Sequence, residues 1–411
     1  MARTTNLLRR AIVAAFVLSP LAGDLAVAEG FWDQFVDPDD GRFDASSFLT
    51  DNAYGFLPIP IIITEPAVDG GLGMAGLFFH ETDEQRQLRL ENLRNAEDGS
   101  QYLLTPSVSG VGGAVTGNDS WFVGGGHVGF FKQGSIRYLG GGGYGDVNIG
   151  FYGFGDVDLT RPVVINTQAF GILQSLKFRL GKTGFFVGPK QLYVNAQIEP
   201  RDLGALSGDI LPPNLQEQWQ ERVRQALTRD VVTSALGVVF EFDNRDNFFS
   251  PHSGYHYEVE QLWFRDAFGS DIEYELTHFE GLNYWKLGKH FRAALRLGAE
   301  YAATDDLLPP YATPSIVLRG IPAMRYQGNY VAVAEAEVTW QIDPRWALLG
   351  FAGSGRAANS TDELKDSPSR VSKGLGFRYL IAKRYGFEMG FDYAFGPEED
   401  VFYIQGGTAW H

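Results

Sequence analysis

The sequence predicts an all-β protein: a transmembrane antiparallel β-barrel of about sixteen strands with short periplasmic turns and long outer loops. Three observations carry this expectation. Residues 386–396 alternate almost without fault, with Phe387, Met389, Phe391, Tyr393 and Phe395 on one face and Glu388, Gly390, Asp392, Ala394 and Gly396 on the other. Successive strand side chains point to opposite faces, so this is a strand with one bulky apolar side and one small or polar side. At the N-terminus, Arg3, Arg9 and Arg10 precede an apolar run from Ala11 to Leu18, and Ala26-Val27-Ala28 offers a small-x-small cleavage site. That order is a secretory signal peptide. A spanning helix is the weaker reading, because Pro20 breaks the run and no other stretch has the roughly 18 uncharged apolar residues it needs. Finally, the strand-length segments come to an even number, and the links between them alternate in length.

In chain order, residues 1–28 read as the signal peptide, 29–57 as a short periplasmic tail or plug, and 58–411 as the barrel. The tail is acidic and turn-forming through Asp37-Pro38-Asp39-Asp40-Gly41. Strands are expected at 71–80, 103–116, 120–131, 135–143, 147–155, 163–181, 184–198, 231–243, 254–266, 271–287, 290–303, 330–342, 345–357, 371–382, 386–396 and 400–411. The alternation is plain in several of them. Leu236, Val238, Phe240 and Phe242 oppose Glu241 and Asp243; Phe291, Leu295 and Leu297 oppose Arg292, Arg296 and Glu300. Ala336, Val338 and Trp340 oppose Glu335, Glu337 and Thr339; Leu375, Phe377 and Tyr379 oppose Gly376 and Arg378. A soluble sandwich would solvate those charges, whereas an exported barrel gathers them into a lumen.

Counting back from a periplasmic C-terminus, the links Lys383-Arg384-Tyr385, Asp343-Pro344 and Leu287-Gly288-Lys289 fall on the periplasmic side. The long links 81–101, 199–230, 304–329 and 358–370 fall outside. Within 214–228, Asn214 with Glu217 and the spacing of Leu215, Trp219, Val223 and Leu227 predict a loop helix packed on the rim.

Composition narrows the function. The chain has no cysteine, which excludes thiolate metal sites and a cysteine nucleophile. Loss of the signal peptide removes three arginines and one aspartate, taking the formal net charge from −16 to −18. That argues against a nucleic-acid partner. Gly71-Leu72-Gly73-Met74-Ala75-Gly76 and Gly124-Gly125-Gly126-His127-Val128-Gly129 match dinucleotide glycine spacing, but neither opens a helix. Gly181-Lys182-Thr183 lacks the first glycine of a phosphate loop and reads as a tight turn. His252 and His256 flank a strand start and need not share a face, and the acidic pairs Glu241/Asp243 and Glu258/Glu260 read as lumen charge. No cofactor, metal site or catalytic set is expected.

Three stretches depart from generic barrel sequence. Phe242-Asp243-Asn244-Arg245-Asp246-Asn247 continues through Pro251 to Gly254 and links two strands. Leu318-Arg319-Gly320-Ile321 lies in the long link 304–329, and Gly374-Leu375-Gly376-Phe377-Arg378 with Asp392-Tyr393-Ala394-Phe395-Gly396-Pro397 lies near the end. Together, and best over 231–411, these resemble the surface-antigen barrels of the BamA/TamA superfamily, here without periplasmic POTRA repeats. The resemblance implies an outer-membrane location in a diderm bacterium and a loop folded into the lumen. The loop arginine, Arg319 here, would bond inner-wall carboxylates, for which Glu335, Glu337 and Asp392 are on the right faces, with Arg378 beside them. It also implies assistance in membrane assembly or translocation of protein or lipid, with outer-membrane lipid and either a client protein or a separate periplasmic partner as partners. The rival reading is a passive or substrate-selective channel, and an outer-membrane hydrolase ranks last. Two departures stand out: Phe351-Ala352-Gly353 carries glycine where the family has aspartate, and the chain ends in Trp410-His411.

Overall fold

The structure is a computed structural model that describes residues 34–48, 56–80, 87, 107–154, 157–202, 228–247, 250–383 and 386–410. The expected signal peptide and the helix expected over 214–228 lie outside these residues.

Sixteen strands form one antiparallel sheet in chain order. They are β1 (Phe56–Ile63), β2 (Gly71–His80), β3 (Ser107–Thr116), β4 (Trp121–Phe131), β5 (Ile136–Phe154), β6 (Val157–Arg179), β7 (Phe185–Asp202) and β8 (Arg229–Asp243). The second half comprises β9 (Gly254–Phe264), β10 (Tyr274–Leu287), β11 (Phe291–Ala303), β12 (Tyr330–Gln341), β13 (Trp346–Ala358), β14 (Arg370–Ala382), β15 (Phe387–Phe395) and β16 (Asp400–Gly406). The sheet curls into a nearly closed barrel, so side chains far apart in strand order meet inside it; Arg292 of β11 lies 2.7 Å from Glu388 of β15. Among the described residues no ladder joins β16 to β1, and these two remain edge strands. No helix among the described residues is long and apolar enough to cross a membrane.

Alternation decides which side is which. Along β15, Glu388, Gly390, Asp392 and Ala394 are buried, while Phe391, Tyr393 and Phe395 are exposed. The same holds for Val338 and Trp340 on β12 and for Leu348 and Trp346 on β13. The bulky residues thus make an outer apolar wall suited to lipid. Neighbouring rings pack along it, as with Trp346 and Tyr379 (4.7 Å) or Phe391 and Phe402 (5.1 Å).

The expected number of strands is right, but two boundary errors cancel within it. Strand β1 was not expected, because Pro58 and Pro60 argue against a strand. As an edge strand it pairs only with β2 and tolerates missing donors on its free side. The separate strands expected at 135–143 and 147–155 are one strand, β5. The break expected at Tyr144-Gly145-Asp146, after the Gly140–Gly143 run, does not form: the ladder continues, pairing Tyr144 with Val123, Gly145 with Phe122 and Asp146 with Trp121. A ladder needs only backbone. The merging of those two strands also moves link 81–101, expected outside, to the same end as the short turns. The last strand stops at Gly406 rather than running to 411: Gly407 has φ +80 and turns the chain inward.

Segment 34–48 clasps the short-turn rim. Arg345, in the turn between β12 and β13, is only 1% exposed because Asp37, Asp40 (2.8 Å) and Asp44 (2.6 Å) surround its guanidinium. Lys383 reaches Asp37 and Asp39 (3.0 Å each), and the Ala45 N–H donates to Ile381 O. The ring of Phe43 lies beside Trp346, Tyr379 and Phe391 of the outer wall. The segment therefore sits on the rim and not in the lumen.

Candidate functional site

The long link 304–329 folds back into the lumen and is held there by a β-turn whose tip is Arg319. The Ile321 N–H donates to Leu318 O (3.1 Å), and Gly320 has φ +84. A turn with positive φ at its third residue calls for glycine. Space demands it as well, since a Cβ at Gly320 would lie 3.1 Å from the Ala394 Cβ. Leu318 and Ile321 bury with Ile316 and Val331, anchoring both flanks of the turn. The Gly320 N–H donates to the Tyr403 hydroxyl (2.8 Å), and the Ser372 hydroxyl donates to Arg319 O.

Arg319 is 7% exposed and meets three carboxylates. Its Nε donates to Glu335 Oε1 (2.7 Å) and its Nη1 to Asp392 Oδ2 (2.7 Å). Nη2 lies 3.0 Å from Glu337 Oε2 but makes no well-aligned hydrogen bond. Arg378 holds the other side of Asp392 with two bonds of 2.6 and 3.0 Å. The guanidinium stacks 3.6 Å above the Phe351 ring. The structure therefore brings Leu318, Arg319, Gly320, Ile321, Glu335, Glu337, Asp392 and Arg378 into one cluster.

Two members were not expected. Gly353 faces Glu335 across the β12–β13 ladder, and a Cβ there would lie 3.1 Å from the Glu335 Cγ. Glu335 therefore occupies the space beside Gly353. Trp410, turned in by Gly407, is buried against Tyr284 and donates from Nε1 to Glu335 Oε2 (2.7 Å). The sequence signal was there: a tryptophan just beyond a glycine that breaks the strand.

The turn between β8 and β9 reaches across the short-turn mouth to β15. Asp243 pairs with Arg245 (2.9 Å). Asp246 accepts from the backbone N–H groups of His252 (2.8 Å) and Ser253 (3.1 Å). Burial pushes the Asp246 carboxyl up, but those two donors outweigh it and hold it below its ordinary value. Gly254 has φ +106, Pro251 is buried, and the Ser250 hydroxyl accepts from Glu388 N–H (3.2 Å) across the lumen.

The remaining candidates are ion pairs. Arg137 bonds Glu241 and Asp243, Lys177 bonds Glu241 and Glu258, and Lys190 bonds Glu260. Glu241, His256 and Glu258 converge closely enough to hold a metal, but Lys177 and Arg137 already neutralise them. His252 faces Glu388 (3.6 Å) while His256 faces Glu241 (3.9 Å), so the two do not form a pair. On the outer wall Ser109 lies between His80 (2.8 Å) and His127 (2.9 Å), with no carboxylate paired to either imidazole among the described residues.

No protein-family model and no curated protein matches the sequence. Solved structures do. The chain is similar to the crystal structure of BamA from Haemophilus ducreyi lacking POTRA domains 1-3, with a TM-score of 0.52 and 13% identity over 92% of this chain and 82% of that one. It is also similar to CdiB from Acinetobacter baumannii, with a TM-score of 0.51 and 11% identity over 84% of this chain and 58% of that one. The protein thus has the barrel fold of BamA and CdiB, expected from its motifs and reached at very low sequence identity.

Proposed function

We propose that this barrel serves membrane assembly or translocation at the outer membrane, handling protein or lipid at the seam between β1 and β16. One observation carries the reading: the lumen loop holds both edge strands. Gly320 binds Tyr403 of β16, and Ala323 N–H donates to Glu65 (2.9 Å), just beyond β1. A passive channel would keep its lumen open, whereas here the loop occupies it and the turn between β8 and β9 reaches across to β15. Planar-bilayer recording of the purified protein tests this. The expected result is a barrel closed most of the time that opens when Arg319 is replaced by alanine. A steady, ion-selective conductance of the unaltered protein would overturn the reading in favour of the channel.

A further inference from the structure

The inner wall is charged on one side and greasy on the other. Registers place Ala114, Phe122, Gly145, Ala169 and Ala196 on one continuous face from β3 to β7. That face is the inner one, because Ala196 buries with Val163, Ile165 and Ile198 against Tyr311 of the lumen loop. Between this wall and the loop lies a cavity of about 600 Å³. Its lining includes Ile61, Phe122, Val147, Ile165, Val194 and Met324. Several positions, among them Gly112, Gly124, Gly143 and Gly171, present no side chain at all.

We propose that this cavity is a binding site for a single acyl chain. Its size falls in the range of small-molecule sites, roughly 300–1,000 Å³. Water is a poor occupant: it needs two to four polar partners, and inward-directed polar side chains are confined to Thr167 and Tyr311. A peptide segment is a poor occupant too, since its N–H and C=O groups would be buried against strands whose own groups are already paired. An aliphatic chain makes no such demand. Two further features fit it. Ile61 belongs to edge strand β1, so the cavity extends to the seam, beyond which lie the acyl chains of the bilayer. Met324 is held at φ +59, a conformation costly for a side chain of its size, and lines the cavity with a flexible thioether that adapts to apolar ligands. The site does not depend on the reading above; a channel with this lining would take the same chain, and the conductance test does not touch it.

The experiment titrates the purified, detergent-solubilised barrel with cis-parinaric acid, a fluorescent fatty acid. Native mass spectrometry of barrel taken from membranes runs alongside it. Gly171→Trp fills the cavity from the inner face, where a Cβ has room (nearest atom 3.7 Å). Ile172→Trp alters the outer face of the same strand and is the control. The expected result is saturable binding at one site, weakened about tenfold or more by Gly171→Trp and within about twofold of native in the control. Val194→Phe, which crowds the cavity by another route, replaces Gly171→Trp should that variant not fold. A retained fatty-acid or phospholipid mass tells which source supplies the chain. Non-saturable partitioning into the native barrel, or equal binding by the filled variants, would overturn the proposal.

Discussion

Replacing Arg319 by methionine keeps an apolar side chain over Phe351 and removes the charge together with the bonds to Glu335 and Asp392. Asp392 is fully buried but keeps both bonds from Arg378. Glu337 is partly solvated. Glu335, 1% exposed, is left with the Trp410 Nε1 as its donor and no cation. Removing one member of a buried ion pair costs about 3–5 kcal/mol, mostly because the remaining charge stays buried. With Asp392 still neutralised, the low end applies. At about 1.4 kcal/mol per tenfold, the loop should open roughly a hundredfold more often. Native-state hydrogen exchange of the amides of 316–321 reads this directly. Adding Glu335→Gln removes the stranded charge, so the double variant should regain a large part of the protection. Exchange that rises less than about threefold in the single variant would refute the role of the buried charge. Simple additivity of the two substitutions would refute it as well.

Three other outcomes follow from the same geometry. Gly320→Ala forces a side chain into left-handed backbone and against Ala394, so loop docking should weaken by about 1–2 kcal/mol in the same exchange measurement; unchanged exchange would show that the turn can relax. Arg345→Ala strips the cation from Asp37, Asp40 and Asp44, and protection of the 37–46 amides should collapse while that of β12 and β13 is retained. Acid should do the same. The Arg345 guanidinium holds the Asp40 carboxyl below its ordinary 3.8. Burial pushes Asp44 up, but bonds from Ser46 and Arg345 outweigh it and leave it lowered as well. A carboxyl depressed in the folded state stabilises the clasp above 3.8, and that stabilisation is lost as pH falls through the depressed values. Release seen by exchange should therefore occur only below about pH 4, and release near neutrality would count against the pairing.

The parts of the fold that were legible share one property: strands with a bulky face and a polar face announce both their extent and their orientation. β12, β14 and β15 are of this kind, and their inward Glu335, Arg378 and Asp392 could be assigned before any coordinates. β1 and β5 were not legible because backbone pairing hides in the sequence when side chains are proline or glycine. The apolar inner wall was missed for a related reason. Where both faces of a strand are apolar or small, as in β3 and β4, alternation no longer says which side faces the lumen, and the expectation of a charged lumen fails there, while Arg137, Lys177 and Lys190 bring charge inside from β5 on. Trp410 was visible as a departure from a strand ending. Its bond to Glu335 was not, since the inward bend at Gly407 sets that contact.

The seam and the lumen loop are physically one problem. An unpaired strand edge exposes N–H and C=O groups that need partners. Here both edges are built to pair poorly: β1 carries two prolines, and β16 is only seven residues long before Gly407 turns away. What links the two edges from within is the loop, through Glu65 on one side and Tyr403 on the other. Its own position rests on Arg319. Loss of that guanidinium should therefore be felt at the seam as well as in the lumen. Amides of β16 near Tyr403 should lose protection in Arg319→Met, while those of β10, paired on both sides, should not. If β16 is unmoved when the loop is free, the loop is a plug alone and the seam is held by something else.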